Sequence, residues 1–233
     1  MEKFSSVWSN LPDAVKSVQP VPFEALDQNQ GFMLYKTTLI GHKSGKLKVT
    51  EIHDFATVFL NGNYIGNLDR REGINTIDLP KTDVANPVLE ILVEGMGHIN
   101  FAQEIIDRKG ITDRVSLNGM TLMNWKIYQL PMDQEYLQQL GHSAGIPDVS
   151  KPGVFFSGTF DLTEVGDTYF DLSGYKKGVV WVNGHNLGRF WEIGPQKRLF
   201  CPAIWLKEKN NEILVFDLHQ RQAGNIKGFT KMN

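Results

Sequence analysis

Several features that would carry chemistry by themselves are missing from this 233-residue sequence. It has one cysteine, Cys201, so no disulfide can form within the chain and no thiolate cluster can hold zinc or iron. The neighbours of that cysteine in Leu199-Phe200-Cys201-Pro202 predict a strand end and a buried, inert thiol. No apolar run approaches the roughly 18 residues of a membrane-spanning helix, and the first ten residues lack the apolar centre of a signal peptide. Lys and Arg number 24 against 26 Asp and Glu, scattered without a basic stripe, so neither a membrane nor a nucleic acid is expected as partner.

Catalytic signatures are equally scarce. His42, His53, His98, His142, His185 and His219 show neither His-x-His nor His-x-x-x-His spacing, so no metal site is expected. There is no Gly-x-Ser-x-Gly elbow and no phosphate-binding loop; Gly95-Met96-Gly97 follows a strand candidate, but no third glycine comes at the dinucleotide-binding offset. No cofactor is expected. Among the carboxylates, Glu90 and Glu212 read as solvent-facing strand positions, and Asp69, Glu72, Asp83 and Asp133 as loop residues.

What is present is a repeat. Shifting the sequence by 122 positions aligns its two halves without a gap. Val58-Phe59-Leu60-Asn61-Gly62 falls on Val180-Trp181-Val182-Asn183-Gly184, Gly66 on Gly188, and Pro80 on Pro202. Glu90-Ile91-Leu92-Val93 falls on Glu212-Ile213-Leu214-Val215, Gly31 on Gly153, and Thr37 on Thr159. One fold has been duplicated in tandem.

The repeated unit is made of strands. Leu89, Ile91 and Val93 alternate with Glu90 and Glu94, the period of a half-buried strand. Apolar Ile213, Leu214, Val215 and Phe216 predict a strand buried on both faces. Further strand candidates recur at intervals of about 10 residues between Gly, Asn, Asp and Pro, as sandwiches require. Asn61-Gly62 and Asn183-Gly184 supply the positive φ angles of two-residue type I′ hairpins, with Gly66 and Gly188 marking a bulge or a close approach of sheets. Met132, Tyr136 and Leu140 at i+4 spacing, with Asp133 before and Gly141 after, predict one short helix.

The expected fold class is therefore all-β, two tandem jelly-roll β-sandwiches. Residues 1–20, with Pro12 and Pro20 and little periodicity, read as an extended linker. Residues 21–115 read as the first jelly roll and 116–233 as the second, with 116–150 a connection carrying a first strand and the short helix.

Aromatic residues are the remaining signal. Trp181 aligns with Phe59 in a strand and is expected in the core. Arg189, Phe190 and Trp191 follow Gly188 and are candidates for a domain interface or a sugar-stacking platform.

The ordered motifs resemble one family. The run from Gly178-Val179-Val180-Trp181-Val182-Asn183-Gly184 through Gly188-Arg189-Phe190-Trp191 to Gly194-Pro195-Gln196, with Asn211-Glu212-Ile213-Leu214-Val215-Phe216, is similar to the final jelly roll of the family 35 β-galactosidases. Phe23-Glu24-Ala25-Leu26, Gly31-Phe32-Met33-Leu34-Tyr35-Lys36-Thr37 and Leu92-Val93-Glu94-Gly95-Met96-Gly97-His98-Ile99-Asn100 resemble its preceding β domain. Lys109-Gly110-Ile111 and Asn124-Trp125 fit the connection between the two.

The resemblance implies the galactose-binding-domain-like fold, in the C-terminal part of a retaining exo-glycosidase that removes terminal β-linked galactose. It also implies a partner: an N-terminal (β/α)8 barrel of the same parent chain, carrying two catalytic glutamates, which has no counterpart in this sequence. The chain alone is thus expected to be no enzyme and to have no catalytic residue. In the family, the segment matching 94–101 approaches the barrel, which makes His98, Asn100 and Phe101 the substrate-proximal or barrel-interface candidates. Phe101 stands where Tyr is common, and His98 where Arg is. A galactoside ligand and a homo-oligomer are the other partners to consider.

Overall fold

A computed structural model describes residues 1–141 and 147–232 of the chain, so His142 lies outside the described residues. Among the described residues there is one α-helix, Gln134–Gln139, and the other elements are strands and short 3₁₀ turns. The chain divides into two compact units, Leu11–Gln138 and a discontinuous one made of Met1–Asn10 with Gln139–Asn233. Each is an antiparallel β-sandwich.

In the first sandwich the larger sheet runs Val15–Ser17, Trp125–Leu130, Phe32–Thr38, Val88–Glu94, Phe55–Leu60, Asn63–Asp69. The facing sheet runs Met120–Thr121, Val115–Leu117, Gly45–Val49, Thr76–Leu79. Between them lie Met33, Tyr35, Val58, Leu68, Ile91 and Val93 from the first, and Leu47, Val49, Val115 and Leu117 from the second, all fully buried.

Among the described residues the second sandwich follows the same plan without counterparts of the outermost strands Val15–Ser17 and Met120–Thr121: Glu2–Ser6, Val154–Phe160, Asn211–Asp217, Lys177–Val182, His185–Trp191, faced by Lys227–Phe229, Thr168–Asp171, Arg198–Cys201. Its core joins Val154, Phe156, Val180, Phe190 and Val215 to Phe170, Leu199 and Cys201. Cys201 ends its strand and is buried, and burial, with Asp167 nearby, pushes its thiol up to about 11.

The 122-residue shift carries strands onto strands. Phe32–Thr38 becomes Val154–Phe160, Phe55–Leu60 becomes Lys177–Val182, Asn63–Asp69 becomes His185–Trp191, and Thr76–Leu79 becomes Arg198–Cys201. Both Asn-Gly pairs form the expected hairpins, with φ of 52° and 78° at Asn61 and Gly62, and 49° and 82° at Asn183 and Gly184. Each hairpin has a bulge at the same place: Val58 pairs with Gly66 and Phe59 with Tyr64, as Val180 pairs with Gly188 and Trp181 with Asn186. The helix starts where Asp133 accepts a hydrogen bond from the Tyr136 N–H at 2.9 Å.

The boundaries differ from those expected. Residues 1–10 are not a linker: Glu2–Ser6 is the edge strand of the second sandwich, paired to Val154–Phe160. Residues 116–138 belong to the first sandwich, because Trp125–Leu130 pairs with Phe32–Thr38 and Trp125 sits in its core. Lys109-Gly110-Ile111 is likewise no connection, since Gly110–Ile111 pairs with Ile52–His53. In each case the hydrogen-bonded partner lies far away in sequence, so local pattern gave the wrong owner. Glu90 is also buried rather than solvent-facing, and its carboxylate meets the Lys36 ammonium at 3.2 Å.

Candidate functional site

The open end of the first sandwich carries the segment 95–109, which leaves strand Val88–Glu94 and returns to strand Gly110–Ile111. Beneath it lies a cluster of four charges. The Lys109 ammonium, with only 2% of its side chain exposed, is 2.9 Å from Asp54 Oδ2 and 2.6 Å from Asp107 Oδ2. Arg70 Nη1 closes the ring, 2.9 Å from Asp54 Oδ1 and 2.7 Å from Asp107 Oδ1. Two cations thus balance two carboxylates, the condition under which buried charge is tolerated.

The remaining lone pairs of these carboxylates hold the loop. The Met96 N–H donates to Asp54 Oδ2 at 2.7 Å, and the Ile99 N–H to Asp107 Oδ2 at 3.3 Å. On the other side Glu24 accepts from the Lys109 N–H at 2.9 Å, and its Oε1 lies 2.9 Å from His98 Nε2. Gly110 must be glycine at the end of this turn: its φ is +95°, and a Cβ would lie 2.3 Å from the Tyr35 hydroxyl.

This chemistry is that of a clamp. Burial pushes the Asp107 carboxyl up, but hydrogen bonds from Lys109 and Arg70 outweigh it and hold the group down at about 2. At neutral pH it has no proton to give, and its lone pairs are engaged. Among the described residues no group of three or more His, Cys, Asp or Glu is placed to hold a metal ion.

The loop that the clamp fixes is apolar on its outside. Phe101 is 81% exposed, Ile106 84%, Ile105 60% and Ile99 38%. His98 and Asn100 are also exposed, so the three candidates His98, Asn100 and Phe101 share one loop. The clamp residues Asp54, Arg70 and Asp107 had no local signature in the sequence, being spread over more than fifty positions.

The candidates of the second sandwich do not stay together. Phe190 is 3% exposed and lies in the core, with its ring 6.0 Å from Tyr175 in a T-shaped pair, so it is neither platform nor surface. The repeat contained this signal, because Phe190 falls on Leu68, a core residue of the first sandwich. Arg189 points outward and Trp191 is half-buried, with the Lys177 ammonium 3.6 Å from the centroid of its indole.

Comparison with known proteins places both sandwiches. Residues 20–131 match the family model described as the first all-beta domain of beta-galactosidase, and residues 153–211 the one described as its galactose-binding domain. The chain belongs to the β-galactosidase family. It is 33% identical to beta-galactosidase 1 of Dictyostelium discoideum, over 91% of this chain and 36% of that protein. It is 35% identical to human beta-galactosidase-1-like protein 2, over 98% and 37%. Against beta-galactosidase 17 of Arabidopsis thaliana it is 35% identical, over 88% and 34%. The chain therefore spans about a third of the length of these relatives, and what it matches are the non-catalytic β domains of the family.

Proposed function

We propose that this chain is the C-terminal, non-catalytic portion of a retaining β-galactosidase, and that loop 95–107 docks against the catalytic (β/α)8 barrel beside its substrate entrance. The observation that carries this reading is the pairing of an apolar outer surface with a backbone fixed from below. Phe101 and Ile106 are large side chains lying mostly in water, with Ile105 and Ile99 partly exposed beside them, and fully burying one such exposed side chain would contribute roughly 1.5–3 kcal/mol. Such patches mark interaction surfaces, and a loop pinned through Met96 and Ile99 loses little entropy on docking. His98 and Asn100 form the polar rim, and a phenyl ring at 101 offers packing without a hydrogen bond to sugar.

The test is a chimera in which this chain replaces the matched third of the Dictyostelium relative, assayed on a chromogenic β-galactoside. The chimera should turn over substrate, and Phe101→Asp with Ile106→Asp should cut kcat/KM at least tenfold. Equal activity of the two would overturn the docking. Turnover by the isolated chain, above a blank and persisting through stringent purification, would overturn the non-catalytic reading.

A second reading, galactoside binding by the second sandwich, is supported by a cavity of about 560 Å³ lined by Thr159, Asp161, Thr163, Thr168, Phe170 and Asn225. Titrating galactose into the millimolar range should shift the amide resonances of these residues saturably. Shifts that stay linear would remove this reading.

A further inference from the structure

The two sandwiches fill one position in their larger sheets from different parts of the chain. In the first, the place beside Phe32–Thr38 is taken by Trp125–Leu130, pairing Leu130 with Phe32 and Ile127 with Tyr35. In the second, the place beside the equivalent Val154–Phe160 is taken by Glu2–Ser6, pairing Ser6 with Val154 and Glu2 with Ser157. The register agrees where the two strands begin to pair, Ser6 and Ser5 answering to Leu130 and Gln129; beyond that Glu2–Ser6 has a bulge between Lys3 and Ser5 that Trp125–Leu130 lacks.

The contacts around this segment are those of a built site. Ser5, Ser6 and Val7 are completely buried. The Val7 N–H donates to the Gly153 carbonyl at 3.0 Å, and the Trp8 indole N–H to the Pro152 carbonyl at 2.6 Å. The Lys151 ammonium lies 3.6 Å from the centroid of the Trp8 ring. The Ser9 hydroxyl oxygen accepts from the Asp148 N–H at 2.7 Å. Gly153, at φ +96°, leaves a socket: a Cβ there would sit 2.9 Å from Val7 Cγ2 and 3.2 Å from Trp8 Nε1. In the first sandwich its counterpart Gly31, at φ +84°, is approached by the backbone of Leu130 and Pro131 and not by side chains, so the side-chain socket belongs to the second sandwich alone.

We propose that the second sandwich carries a binding site for an extended peptide, which residues 2–9 occupy as a ligand and not merely as a continuous part of the chain. Strand pairing supplies the length of the site. Two small buried hydroxyl residues, then Val7 in its socket and Trp8 beneath Lys151, supply its selectivity. The first sandwich is thereby inserted, in sequence, between a strand and the sheet that binds it. The site holds its occupant when the covalent link at residues 11–13 is cut, and it discriminates against segments lacking the Val-Trp pair.

The test uses the full chain with a protease recognition sequence placed at residues 11–13, where Pro12 and Asp13 are exposed. After cleavage, size-exclusion chromatography with mass spectrometry should find peptide 1–10 still bound, and an excess of the labelled synthetic peptide should exchange into the site. Prompt loss of the peptide would overturn the proposal, whatever the state of the rest. Because Gly153→Ala risks misfolding, Trp8→Ala in the same cleavable chain is the second variant, expected to release its peptide at least tenfold faster. Release at the unsubstituted rate would show that no selective site exists.

Discussion

The bases of the two hairpins show what a duplicated frame can be turned to. Asp54 and Arg70 form an ion pair 2.9 Å long in the first sandwich; the residues 122 positions on, Lys176 and Glu192, form one of 3.3 Å with the charges exchanged. The frame thus preserved a pairing of opposite charges at this point while letting the sign of each partner reverse. What differs is cover. Segment 95–109 closes over the first pair, adding Asp107 and Lys109 and turning it into a buried network. In the second sandwich both partners remain about half exposed. The same geometry is therefore a loop clamp in one copy and a surface pair in the other, and solvent access decides which.

The largest expected effect comes from opening the clamp. Lys109→Met leaves Asp54 and Asp107 facing each other with the more exposed Arg70 as their one shared cation, and the His53 imidazole 3.4 Å from Asp107 beside it. Removing one partner from a buried charge network costs on the order of 3–5 kcal/mol. Urea unfolding of the first sandwich should register that loss, and hydrogen exchange at the Met96 and Ile99 amides should accelerate with it. If stability drops by less than about 1 kcal/mol, the cluster is behaving as a surface network and the contrast between the two copies fails.

Acid should separate the copies by a smaller step. In the second sandwich, burial and then the nearby Lys177 and Lys176 push His219 down to about 4 from 6.5, with Glu192 acting the other way. Between those values the unfolded chain binds the proton and the folded chain does not, so stability falls as pH drops. The contribution is complete above pH 6.5 and lost towards pH 4, up to about 3 kcal/mol. In the first sandwich, Asp107 is held at about 2 against an ordinary 3.8, so its contribution is complete above pH 4 and lost only towards pH 2. The second sandwich should soften first. Asp217, raised by burial, has the opposite slope, so the effect is read as the difference between the chain and His219→Gln. A difference that is flat from pH 6.5 to 4 would remove His219 as the cause.

Much of the frame was visible in the sequence because its signals are local. Asn-Gly demands positive φ wherever it occurs, and Asp133 three residues before Tyr136 is enough to start a turn of helix. Ownership of edge strands was not visible. Glu2–Ser6 has no apolar alternation, and its buried positions are the small polar Ser5 and Ser6, so only the partner strand makes it a strand. Phe190 misled for a different reason: a run of Arg, Phe and Trp after a glycine suggests a surface, yet alternation along His185–Trp191 sends Phe190 inward and Arg189 out. The candidate loop was marked by family resemblance alone, since the clamp that fixes it is assembled from residues 54, 70, 107 and 109 only on folding.

The smallest effect is the one that isolates solvent as the variable. Lys176→Ala removes the second sandwich's pair at the same place in the frame where Asp54 and Arg70 pair in the first. With both partners half exposed, water and salt already screen the attraction, and exposed pairs contribute about 0.2–1 kcal/mol. The expected loss lies at the lower end of that range, within about 0.5 kcal/mol, and raising ionic strength should erase it. The same rise in salt should leave most of the Lys109→Met penalty in place, because counterions do not reach the buried cluster. If both penalties shrink together with salt, burial by segment 95–109 is not what sets the two copies apart.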